Sequence, residues 1–372
     1  MSDSESKPDG QVQGRAARPP RLAYADGLRG LAALWVVLFH ASEGGHIERL
    51  KSVLPPAFVR LVFDSGYLGV PVFFVLSGFV MALTVHSARV DLGFAFRFVL
   101  RRMVRLTPPY AVSIAIVIGF LALKMWALHT PVSFPSVGAV VAHVAYVQDV
   151  FGVPPLNPVY WTLAIEVQFY IFFAVLMLAA DALSRWIPNA RLWLFGLTGI
   201  VGLAWPAGIA TTALWPGGFI PLWFSFAAGV LVCWGWRLRG WPEIAALVFC
   251  AAVLGLGNSA FAVTASVTAV TLLAAGRLGA MQSWLNWRWI QFLGSISYSL
   301  YLLHNPTMGA WARVARFSSG TLSDLLVLVS SVAVCILAAF LAYRWVEVPS
   351  QRWSGAIKLG RVQTAGDVRT AP

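Results

Sequence analysis

A chain of 372 residues with 59% hydrophobic and only 11% charged residues cannot cover an ordinary soluble surface, which takes about 25% charged residues; lipid has to supply the missing solvent. The net charge of +12 would suit nucleic acid, but the basic residues sit between apolar runs rather than on one contiguous face, so nucleic acid is excluded as a partner and the lipid bilayer takes its place. Cys233, Cys250 and Cys335 lie inside apolar stretches without Cys-x-x-Cys spacing, which excludes a zinc cluster or a disulfide framework, and no metal site is expected.

Residues 1–21 are polar and proline-containing and carry no cleavable signal, so they read as a disordered cytosolic tail. A bilayer core of about 30 Å needs about 20 apolar residues per helix. That ruler predicts spans near 28–42, 66–85, 106–124, 158–180, 191–208, 214–236, 242–256, 259–275, 289–309 and 323–344. The fold class expected is therefore all-α, a polytopic integral membrane protein with about ten transmembrane helices. With the amino terminus inside, 21 of the 27 basic residues fall on the inner side, which predicts that both termini are cytoplasmic. The long connection at 125–157 holds several prolines around the apolar stretch 137–147, read as a short re-entrant or interfacial helix. The membrane domain is expected to cover 22–353, with a cytosolic tail over 354–372.

Ionisable groups inside spans are costly and mark function. In the first span Arg29 and His40 are eleven residues apart, about 20° past three full turns and about 16 Å along the axis, so they share one helix face. Asp26 is placed to pair with Arg29. His40 also has a plainer reading as an interfacial histidine; the common face with Arg29 favours function. Ser77, in Phe73–Phe79, reads either as an acyl carrier or as half of a Ser-Gly pair for close helix packing. The basic run Arg97, Arg101, Arg102 and Arg105 precedes the third span and, as a helix, gathers guanidiniums suited to phosphate; ordinary inside-facing basic residues are the alternative. The fourth span carries Trp161, Glu166 and Tyr170, and Glu166 is expected at the depth of His40, where it would fix the imidazole tautomer. The ninth span adds Tyr298 and His304, with Pro306 expected to end the helix.

These residues resemble the membrane acyltransferase-3 family of bacterial O-acyltransferases. Asp26-Gly27-Leu28-Arg29-Gly30 with His40 is similar to its Arg-x10-His motif, and Arg102-Met103-Val104-Arg105 to its Arg-x-x-Arg. Phe73–Phe79 resembles its Phe-Phe-x-x-Ser-Gly-Phe stretch, and Trp161–Tyr170 its Trp-Ser-Leu-x-x-Glu-x-x-Phe-Tyr, with Thr162 in place of the serine. Gly294–His304 and Glu347-Val348-Pro349 match two further stretches in family order. The resemblance covers about residues 22–353 and implies ten spans, a cytosolic acyl-CoA donor (acetyl-CoA by default) and functional roles for Arg29, His40, Arg102, Arg105 and Glu166. Some relatives carry an extracytoplasmic esterase-like domain after the tenth span; none is expected here.

The function expected is transfer of an acyl group from acyl-CoA to a hydroxyl of a saccharide or glycoconjugate, at the bacterial inner membrane. His40 and Glu166 are the expected catalytic pair. Arg29, Arg97, Arg101, Arg102 and Arg105 are expected to hold the donor, and Ser77, Trp161, Tyr170, Tyr298 and His304 to shape the substrate site. The competing reading is a proton-coupled transporter or flippase that uses Arg29, His40 and Glu166 as a relay; it predicts paired broken helices, and no such pair is visible in the sequence.

Overall fold

Apolar runs separated by capping residues, glycines and prolines become helices, and no strand occurs among the described residues. The structure is a computed structural model describing residues 22–86, 88–129, 131–210, 217–257, 259–315 and 320–359. In chain order the helices are α1 (Ala23–Glu43), α2 (Glu48–Val53), α3 (Pro56–Val59), α4 (Gly69–Val85), α5 (Leu92–Leu128), α6 (Val137–Val144) and α7 (Tyr160–Leu183). They continue with α8 (Ala190–Gly202), α9 (Trp223–Leu238), α10 (Trp241–Leu256), α11 (Ala260–Arg277), α12 (Arg288–Val314), α13 (Thr321–Ala342) and α14 (Val348–Ala356). Three starts carry side-chain caps: Asp91 accepts from the Phe94 amide at 2.6 Å, Ser136 from Ala139 at 3.1 Å and Ser259 from Ala262 at 3.2 Å. The expected tail at 1–21 lies outside the described residues; of 354–372, residues 354–356 form the last turn of α14 and 360–372 also lie outside.

Among the described residues six helices are long and apolar enough to cross a membrane, on α4, α5, α7, α9, α11 and α13. The other four expected spans fall on α8 and α10, apolar but only 13 and 16 residues long, and on α1 and α12. Those last two are 21 and 27 residues long and carry the ionisable and hydroxyl groups of the site. Large apolar side chains such as Leu123, Trp126, Val175, Leu197, Val267 and Leu326 stand exposed on the outer faces of their helices, as lipid contact requires. The expected short helix at 137–147 is α6.

Glycine sets the two closest helix crossings. A Cβ on Gly30 of α1 would lie 2.6 Å from the Gly294 amide of α12, and one on Gly294 would strike the Asp26 carbonyl. Across the bundle, Gly78 of α4 faces the Phe226 carbonyl of α9, and Gly229 faces that of Val75. Small residues let backbones approach where lipid offers no hydrophobic drive between helices. Around the second crossing, Phe226 stacks on Phe74 at 4.5 Å and on Phe169 at 4.1 Å between ring centroids. Two of the basic residues expected on the inner side prove to be structural ties: Arg191 grips Asp181 with two bonds of 2.6 Å, and Arg277 grips Glu243.

Pro306 does not end α12, contrary to the expectation from sequence; the helix continues to Val314. Proline removes the amide that would bond the carbonyl four residues back, here Leu302. That carbonyl instead accepts from Ser113 Oγ at 3.2 Å and Asn157 Nδ2 at 3.3 Å, the kind of substitute a proline needs inside a membrane. Near the end of α13, the helix loosens into a π turn over Tyr343–Glu347. Pro349 has no amide for the Trp345 carbonyl, which favours this widening, and the wide turn carries Tyr343 and Glu347 to the wall of a cavity.

Candidate functional site

The α1–α12 crossing brings Asp26 and Arg29 against Gly294–Tyr301, and α4, α5, α7 and the Tyr343–Glu347 turn close the rest of a cavity of about 250 Å³. Arg29, Arg102 and Arg105 line it, and among the described residues none of the three forms an ion pair. The Arg102 guanidinium carbon lies 5.8 Å from the centroids of the Tyr170 and Phe98 rings, within cation–π range. Three forked cations facing one chamber without a bound carboxylate form a receptor for oxyanions.

Half-buried Glu166 and buried Glu347 supply the chamber's acceptors. Ser77 Oγ and Tyr170 OH both donate to Glu166 Oε1, tying α4 to α7. Ser299 Oγ donates to Glu347 at 2.7 Å and Gln351 Nε2 at 3.1 Å. Tyr298 OH donates to the Leu106 carbonyl at 2.9 Å, fixing α12 to α5. Ser77 holds Glu166 and does not itself line the chamber, while Gly78 beside it makes the close helix contact, so the packing reading of that pair has a structural counterpart.

At the other end of α1 lies a second cavity of about 200 Å³, lined by His40, Glu43, His46, Pro158, Asn305 and Met308. His40 Nδ1 is 3.0 Å from Glu43 Oε2. The His40 ring lies 5.1 Å from that of His304, which is fully buried with Nδ1 donating to the Leu300 carbonyl at 3.1 Å. That bond fixes the His304 tautomer and leaves its Nε2 as a lone pair, buried without a partner. Between the cavities stand Tyr301 and Thr162, joined OH to Oγ1 at 2.8 Å, with Tyr301 6.0 Å from the His304 ring and 5.6 Å from Phe73.

This geometry corrects three sequence expectations. Glu166 does not pair with His40: its partners are Ser77 and Tyr170, and the carboxylate beside His40 is Glu43. The reason is depth. His304 levels with His40, Tyr301 is almost one turn down, Thr162 levels with Tyr301, and Glu166 is a further turn down, so the offset is about 10 Å. Arg97 and Arg101 do not line the chamber. On a helical wheel the midpoint of Arg102 and Arg105 lies about 70° from Arg101 and about 110° from Arg97; Arg97 Nε is buried without a partner, and the Arg101 carbonyl accepts from Ser354 at 2.9 Å. Trp161 turns outward against Phe74, and Thr162, Leu163, Glu166 and Tyr170 form the facing surface. His304, expected among the substrate residues, packs against the His40 ring.

Sequence reasoning passed over Thr162, Tyr301 and Glu347 as site residues. Glu347 carried a signal, a carboxylate next to X-Pro at the end of an apolar run. Tyr301 and Thr162 carried only their positions on the faces of His304 and Glu166.

Residues 22–344 match a family described as an acyltransferase domain. The chain is 25% identical to a putative peptidoglycan O-acetyltransferase of Bacillus subtilis over 87% of its length, and 23% identical to a peptidoglycan O-acetyltransferase of Listeria monocytogenes over 88%. It spans about half of each, 54% and 55% of their lengths. A putative membrane-bound transacylase of Komagataeibacter xylinus is 30% identical over 76% of this chain and 71% of its own. No solved structure matches. With the family match covering most of the chain, and with Arg29, His40, Arg102 and Arg105 gathered around two cavities joined by one helix, the chain belongs to the acyltransferase-3 family.

Proposed function

We propose that this chain moves an acyl group, acetyl by default, from acyl-CoA to a hydroxyl of a saccharide or glycoconjugate. The observation that carries the reading is the trio Arg29, Arg102 and Arg105, unpaired around one chamber whose far wall leads through Tyr301 and His304 to His40. The donor phosphates bind the trio, and the pantetheine arm runs along α1 toward His40. The relatives named as peptidoglycan O-acetyltransferases support O-acetylation and an envelope glycan as acceptor. On this reading the Arg29 end faces the cytoplasm, both termini lie there, and the membrane is the bacterial inner membrane, in keeping with the basic bias of the inner segments.

His40 is the general base. Its Nδ1–H points to Glu43, which leaves Nε2 free to take the acceptor hydroxyl proton. The alkoxide attacks the thioester carbonyl, the carbon–sulfur bond breaks, and the proton on His40 passes to the departing thiolate. Glu43 fills the orienting role that sequence gave to Glu166. Glu166 keeps Ser77 and Tyr170 in place beside Arg102. For the thioester to reach His40, the Tyr301–Thr162 pair has to part.

Purified protein incubated with radiolabelled acetyl-CoA and cell-envelope glycan tests the proposal. Acceptor-dependent label transfer that disappears in His40→Ala, with insertion and expression intact, is the expected result. Full activity in His40→Ala, or substrate movement across proteoliposomes with no CoA release, would overturn it in favour of another base or of transport.

A further inference from the structure

Beside the His40 cavity, at the same end of the bundle, lies a third cavity of about 270 Å³ between α5 and α12. Pro158, Asn305 and Gly309 line both, so the two are continuous. Its floor is apolar and ring-bearing, with Phe120 and Pro306 facing in, and its rim carries Lys124 from α5 and Arg313 from α12. No Asp or Glu lines it, and among the described residues neither cation has an ion-pair partner.

A basic residue in the last turn of a helix is ordinary, since it complements the helix dipole, and Arg313 sits in such a turn. Lys124 lies just before the last turn of α5 and turns to the same groove. By the sequence-derived sidedness only six basic residues fall on this side of the membrane, and one of them, Lys51, is paired with Asp64 at 3.1 Å. Two of the six converge on a groove that opens beside the general base.

We infer that this groove binds the acceptor, and that Lys124 and Arg313 select a saccharide bearing an anionic group, a uronate or similar carboxylate, with its hydroxyl directed toward His40. The inference rests on the acyltransferase reading for the groove's purpose but not for its binding. An uncompensated pair of cations attracts a carboxylate. The Phe120 ring and the prolines offer apolar faces to the sugar, and the Asn305 amide edge stands where the groove meets the His40 cavity. An anionic phospholipid headgroup would satisfy the cations equally but has no use for the continuity with His40, which is why the saccharide is favoured.

The test is direct binding of two probes to the full chain in nanodiscs of phosphatidylcholine alone: a tetrasaccharide with one terminal uronate, and its neutral counterpart. The uronate probe is expected to bind about tenfold tighter, with the preference shrinking as salt rises. Lys124→Ala with Arg313→Ala removes the preference, Lys124→Arg with Arg313→Lys restores it, and His40→Ala leaves it in place. Equal binding of the two probes, a preference that survives the double alanine variant, or its loss on adding phosphatidylglycerol to the discs would each overturn the inference. CoA release measured alongside separates the two claims. A charge preference in binding without acceptor-dependent release sinks the acyltransfer reading and spares the groove, and acceptor-dependent release without a charge preference does the reverse.

Discussion

Leu302 tests how this bundle tolerates a proline inside α12. Its carbonyl lacks the helical amide of residue 306 and takes Ser113 at 3.2 Å and Asn157 at 3.3 Å instead. Asn157→Ala also frees the Val159 amide, which bonds Asn157 Oδ1 at 3.3 Å, and Ser113→Ala also breaks a 2.7 Å contact with Tyr160 OH. At about 1 kcal/mol per bond, each single change costs about 2 kcal/mol. Together they leave a carbonyl with no donor in an apolar interior, which adds about 1–3 kcal/mol beyond the sum. Pro306→Ala supplies the missing amide, so in that background the extra loss vanishes and the two changes add simply. Unfolding of the four variants with and without Pro306, titrated with SDS in mixed micelles and followed by tryptophan fluorescence, reads both cycles. Strict additivity in both backgrounds would show that the carbonyl is not the shared acceptor.

Arg102→Lys or Arg105→Lys exchanges a rigid fork for a point charge and raises the acyl-CoA KM about tenfold with unchanged thermal stability; an unaltered KM in initial-rate measurements would remove these residues from donor binding. Glu43→Gln lowers kcat about fivefold, in line with the roughly 1 kcal/mol of an exposed pair, and leaves the acyl-CoA KM alone. An unchanged kcat would hand the orienting role to another group. Gly294→Val drives a side chain into the Asp26 carbonyl and destabilises the protein by about 3 kcal/mol, seen as loss of folded protein after detergent extraction; a variant melting with the parent would mean that α1 and α12 do not cross there.

The apolar runs made the helices legible, and the eleven-residue spacing of Arg29 and His40 made one face of α1 legible, because both follow from the chain's own geometry. Depth across helices was not. The estimate that set Glu166 level with His40 assumed straight spans entering at one plane, whereas contacts set the level: Thr162 meets Tyr301 and His40 meets His304. The arginine run showed a similar limit. A shared face over Arg97, Arg101 and Arg105 is correct locally, yet which side turns inward depends on α7 and α12, and it is Arg102 and Arg105 that meet the chamber. Pro306 misled because its cost is met from elsewhere, by Ser113 and Asn157, residues about 190 and 150 positions away in the chain.

On the proposed function, the separation of the two cavities sets how far a bound donor has to reach. The lining of the Arg29 chamber and that of the His40 cavity share no residue, and Tyr301 with its Thr162 bond stands at the boundary. A thioester lodged only among the guanidiniums is a full Tyr301 side chain away from the imidazole. Parting that pair forfeits about 1 kcal/mol of hydrogen bonding, a sum that the binding of a long donor arm can offset. Arg29, Arg102 and Arg105 line one cavity, and His40 with Glu43 lines the other, with the His304 ring 5.1 Å from that of His40.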